Sequence, residues 1–136
     1  MKRIGMIAAA AAFLMTAVNA AAHHSFAMFD KEKTYTVDGT VTKFQFTNPH
    51  VWIWIEVPEG EDQPAGLYGF ESGSPSQLMR MGIPRSSFKP GDRITVRFHP
   101  LRDGRKGGQF LGAVLASGRV LDMRSEVDRF ANGIRD

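Results

Sequence analysis

The chemistry this chain can do begins with its four histidines, which fall at three places: His23 and His24 side by side, His50, and His99. Imidazole is the commonest side-chain ligand of transition metals, and two or three can hold copper or zinc without help from cysteine, of which the chain has none. His23, His24, His50 and His99 are therefore the candidate metal ligands, with copper the expected ion. No His-x-x-x-His spacing occurs, so only the fold can gather them. The competing reading is that all four are structural.

The start of the chain bears on this chemistry. Met1-Lys2-Arg3 is a short basic segment, Ile4 to Val18 is an alanine-rich apolar run, and Val18-Asn19-Ala20 fits the small-x-small rule for signal peptidase. Residues 1–22 read as a secretory signal, cleaved after Ala20 or after Ala22, and 23–136 as one domain. Cleavage after Ala20 leaves Ala21-Ala22-His23, whose amine, amides and imidazole suit square-planar Cu(II). Cleavage after Ala22 makes His23 itself the first residue. The expected location is the periplasm or the exterior, with no stable membrane anchor once the signal is gone.

A second constellation is aromatic. From Asn48 to Val57 the sequence alternates with period two, placing Val51, Ile53, Ile55 and Val57 on one face and His50, Trp52, Trp54 and Glu56 on the other. The aliphatic face must sit on a core, because each such side chain gains roughly 1.5 to 3 kcal/mol on burial. The other face is too apolar for plain solvent contact. Either it binds something or the segment with Phe26 and Phe29 covers it. If it binds, Trp52, Trp54 and Glu56, with Tyr68 and Phe70 from the next strand, are the candidate ligand-binding residues for a small ligand or a periplasmic partner protein.

Other chemistries find little support. There is no Gly-x-Ser-x-Gly elbow and no cysteine nucleophile, so no catalytic residue is assigned and the chain is not read as an enzyme. Glu56 and Glu71 are a candidate carboxylate pair, with pairing to Lys or Arg as the competing role. The net charge of +3 includes Lys2 and Arg3, which leaves +1 without them. That near-neutrality argues against nucleic acid as a partner, since phosphate recognition needs concentrated positive charge. Arg102, Arg105 and Lys106 read as solvated charge in a glycine-rich loop.

The elements that must position these groups are short strands. Tyr35 to Phe46 is strand-like, with its parity slipping near Thr42-Lys43, where a bulge is expected. A third strand follows over about Gly66 to Glu71. Ser74 as N-cap, Pro75 at the first helical position, Gln77 three residues after the cap and Gly82 as a stop predict a helix of two turns. Its Leu78, Met79 and Met81 are expected to plug one end of a barrel. Lys89-Pro90-Gly91-Asp92 has type II turn chemistry. It leads into strands over Arg93 to His99, Phe110 to Ala116 and Arg119 to Met123. Ser125 to Asp136 is a short helix or a frayed tail. The domain is thus expected to be mainly β: a small OB-like antiparallel barrel with one short helix between strands 3 and 4, an up-and-down barrel or a sandwich being the alternatives.

Several marks occur together: His23-His24-Ser25-Phe26, Gly39-x-Val41-x-x-Phe44, Asn48-Pro49-His50-x-Trp52, Ser74-Pro75-x-x-Leu78-x-Arg80-x-Gly82, Lys89-Pro90-Gly91-Asp92 and His99-Pro100-Leu101-Arg102-Asp103-Gly104. In these the chain resembles a family of small exported bacterial proteins known only as a domain of unknown function. The resemblance implies an exported single domain and supplies no activity or ligand. In strand order the chain is also similar to bacterial periplasmic OB-fold proteins. The expectation from the sequence is a binding or accessory module, with the histidine metal site as its sharper form and the aromatic face as the alternative.

Overall fold

The computed structural model describes residues 27–60 and 63–124. The stretch expected to be a signal, with its expected cleavage sites, His23, His24, Phe26 and the tail after Arg124 lie outside them. The elements are β1 (Tyr35–Gln45), β2 (Trp52–Val57), β3 (Gly66–Glu71), α1 (Pro75–Arg80), β4 (Arg93–Pro100), β5 (Gly107–Leu115) and β6 (Val120–Asp122). A 3-10 turn over Arg85–Ser87 precedes β4.

The sheet runs β3-β2-β1-β4-β5-β6, and a further parallel pairing of β3 with β5 closes the first five strands into a barrel. With α1 between β3 and β4, this is the OB-like order, and the domain is mainly β. β1 makes the closure possible. Its first half, Tyr35 to Thr40, pairs with β4, and its second half, Thr40 to Gln45, pairs with β2. The register slips between Val41 and Lys43, where the bulge was expected. An extra residue there bends the strand from one wall to the next.

Closure also needs two backbones to come close where β5 meets β3 and β4. Gly107 and Gly108 stand opposite Gly69 and Phe70 of β3. A Cβ at Gly108 would lie 1.9 Å from the His99 carbonyl oxygen, and one at Gly107 would lie 2.0 Å from that of Gly69. These glycines, read from sequence as part of a glycine-rich loop, are therefore the first residues of β5, which starts earlier than the apolar pattern beginning at Phe110 suggested.

The core fills the barrel with Val37, Val41, Ile53, Ile55, Phe70, Val96 and Phe110, all nearly inaccessible. Ser74 caps α1 by accepting a hydrogen bond from the Gln77 amide at 3.3 Å. The plug is narrower than expected. Leu78 is fully buried, with Ile83 just beyond the helix, whereas Met79 is 62% exposed and Met81 half-buried. Six residues make under two turns, so a single position can face inward throughout. Gly91 has φ of 95°, as the type II turn requires, and Asp92 closes the turn through its amide to the Lys89 carbonyl at 3.1 Å.

At the far end of β4, the segment before β1 adds an antiparallel bridge between Phe29 and Leu101. The Asp30 amide donates to Pro100 and the Arg102 amide to Met28. Phe29 is buried in that contact. None of the described helices is long and apolar enough to cross a membrane.

Candidate functional site

On the outer face of β2, Trp52 and Trp54 stack with ring centroids 5.5 Å apart and planes 15° from parallel. Both are half-buried. Residues two apart on a strand point the same way, which places both indoles on one face of β2. Across β2, Trp52 faces Gln45 and Glu71, and Trp54 faces Lys43 and Gly69. Gly69 carries no side chain, and the six-membered ring of Trp54 occupies the volume above it. A glycine inside a strand signals close approach by another group, so this position was readable in principle.

The same register corrects two site assignments. Tyr68 and Phe70 are not beside the tryptophans: they alternate with Gly69 and Glu71, face the barrel interior, and are buried. Tyr68 donates its hydroxyl hydrogen bond to the Pro64 carbonyl at 3.0 Å, and burial pushes its phenol above the usual range. Glu56 shares the outer face of β2 but stands opposite Leu67, four residues along the strand from the Trp52–Glu71 rung. About 13 Å of backbone therefore separates it from Glu71, and the two do not form a carboxylate pair.

Glu71 instead accepts a hydrogen bond from Nδ1 of His50, which ties the head of β2 to the end of β3 at the edge of the tryptophan stack. His99 is anchored separately, its Nδ1 donating to the Lys33 carbonyl at 2.7 Å. The rung sequence Glu71, Gln109, His99 crosses two strand spacings, about 10 Å. The two described histidines thus belong to different ends of one outer band. Among the described residues, no three His, Asp or Glu side chains gather as a metal group. His23 and His24 lie outside that description. Phe29 is held by Leu101, so its cover of the tryptophans is not what the structure shows.

A family model described as a family of unknown function, DUF6152, matches residues 11–110. No curated protein matches the chain. Among solved structures, the mitochondrial single-stranded DNA binding protein Rim1 of S. cerevisiae is similar at 10% identity, over 62% of this chain and 93% of that one, with a TM-score of 0.46. The exclusion of nucleic acid as a partner, drawn from net charge alone, is withdrawn. Net charge averages over a whole surface and rules out no local patch. The likeness itself assigns no ligand to this chain.

Proposed function

We propose, on the premise that the chain belongs to the DUF6152 family of unknown function, that it is an exported binding module. Its ligand surface is the outer face of β2 and β3, where a flat group lies against the tryptophan stack. The observation that carries this reading is the parallel, half-buried Trp52–Trp54 pair, bordered by Lys43, Gln45 and the His50–Glu71 pair. Aromatic planes on a rigid strand offer stacking worth roughly 0.5 to 1.5 kcal/mol per ring beyond area burial. The polar border supplies direction. Export to the periplasm is part of the proposal and rests on the basic and apolar run before Ala22.

The test is indole fluorescence of the processed protein against oligosaccharides and aromatic compounds, with Trp52→Ala as control. Saturable quenching that this variant loses, while its melting temperature holds, supports the reading. A stability loss of about 3 to 5 kcal/mol on truncating Trp52, typical of a buried aromatic, overturns it.

A second reading, a histidine copper site, is favoured by one observation. Both described histidines spend Nδ1 on an oxygen acceptor, Glu71 for His50 and Lys33 for His99, the arrangement that fixes ring orientation in metal ligands.

A further inference from the structure

At the end of the barrel where Phe29 bridges Leu101, a cleft of about 770 Å³ opens between the start of β1, the β2–β3 loop and the β4–β5 loop. Its apolar wall comprises Tyr35, which is half exposed, and Phe98, which meets Tyr35 edge-on at 6.2 Å between centroids. Tyr68 reaches the same space with its hydroxyl end.

The rim is cationic: among the described residues, Lys33, Arg102, Arg105 and Lys106 line the cleft, with Asp30 the one carboxylate beside them. Apart from this cleft and from Lys2 and Arg3, the sequence carries eleven cations and thirteen carboxylates. The described lining of the cleft is therefore net positive in a chain whose remaining charges are nearly balanced.

The rim is also held in place. Asp30 pairs with Lys33 at 3.2 Å and Arg102 at 3.9 Å, and the Lys33 bond foremost keeps its carboxyl below the usual range. Asp103 accepts from the Arg105 amide at 3.1 Å and its Nε at 2.8 Å. Lys106 donates to the Ala65 carbonyl at 2.5 Å, joining two of the loops that form the cleft.

From this juxtaposition we infer a second ligand site: the cleft takes a small amphipathic organic anion. Its ring or aliphatic body lies on Tyr35 and Phe98, and its carboxylate or phosphate meets the Arg102–Lys106 loop. Complementarity of charge selects the anion, because four cations against Asp30 on the lining favour a negative group over a neutral one, and desolvation by the aromatic wall strengthens the contact. This site is separate from the tryptophan face.

Amide NMR of the labelled, processed protein tests it, with phenyl phosphate, benzyl alcohol and inorganic phosphate as probes. Phenyl phosphate is expected to shift the amides of Tyr35 and of Arg102 to Gly107 saturably at millimolar concentration. Benzyl alcohol and inorganic phosphate, each holding half of the chemistry, should bind more weakly. Arg105→Gln with Lys106→Gln should weaken phenyl phosphate about tenfold. Because Lys106 also ties the loop to Ala65, Arg102→Gln is the second variant and should weaken it without a change in melting temperature. Equal shifts in the variants overturn the inference, as do shifts confined to Trp52 and Trp54, or no saturation. Binding to anionic lipid vesicles that phenyl phosphate cannot displace would overturn it too, making the patch a membrane contact.

Discussion

Trp54 fills the space that a side chain at Gly69 would need: a Cβ there would stand 2.5 Å from Cζ3 of the indole. The stack with Trp52 depends on that vacancy. Gly69→Ala should therefore push Trp54 off β3 and break the parallel pair. The expected cost is about 1 to 3 kcal/mol of overpacking, with loss of the near-ultraviolet circular dichroism of the coupled indoles. An unchanged spectrum would mean that the pair does not rest on Gly69.

Barrel closure makes a sharper comparison. Gly108→Ala sets a methyl 1.9 Å from the His99 carbonyl oxygen, which is backbone and has little room to yield, whereas a Cβ at Gly60 would meet none of the described residues within 4 Å beyond its chain neighbours. Urea unfolding should show a loss of at least about 2 kcal/mol for the first. Gly60→Ala should stay within about 0.5 kcal/mol of the parent.

This contrast marks how far the sequence could be read. Period-two alternation located β2, the parity slip at Thr42-Lys43 located the bulge, and Ser74 with Gln77 located the helix, because each is a local signal. The barrel seam was not local. Gly107 and Gly108 read as a loop because a glycine placed for close approach and one placed for flexibility look alike until the partner strand is known. Tyr68 and Phe70 were assigned to the wrong face for a related reason. Two aromatics next to a tryptophan strand suggest a shared surface, but the parity of β3 is fixed by the pairing of Trp52 with Glu71. The cationic cleft was invisible for the same cause: Lys33 and Arg102 are far apart in the chain and meet only through the bridge of Phe29 to Leu101.

Asp122 gives a pH-dependent prediction. Its carboxylate is buried on β6 and accepts from Arg97 at 2.9 Å and from Arg124 at 2.6 Å. Burial alone would raise its pKa, but the Arg124 hydrogen bonds and the charge of Arg97 outweigh it and hold the carboxyl below its ordinary value. A depressed folded pKa means that the stabilisation is complete above the unfolded value, about 3.9, and is lost as pH falls through the folded one. Asp122→Asn should cost about 2 kcal/mol at neutral pH, as for a hydrogen bond to a charged group. The gap between variant and parent should close below about pH 4. A gap that stays constant down to acid pH would show that the charge of Asp122 is not what stabilises β6.

The copper reading turns on the processed N-terminus. His50 and His99 stand on separate anchors, and no metal group forms among the described residues, so a site must draw on His23 or His24. Either cleavage position gives His23 access to a free amine, as third residue or as first, and an amine with an imidazole is a chelate that copper favours. Isothermal titration of the exported protein with Cu(II) should show tight binding. His23→Ala, or one extra residue ahead of the mature terminus, should weaken it beyond the 10–100-fold typical of losing an outer partner. Equal affinity in an N-terminally tagged protein would remove the amine from the ligand set. If the native protein takes up no metal at micromolar concentration, the histidines are structural, and of the two proposed readings only the tryptophan face survives.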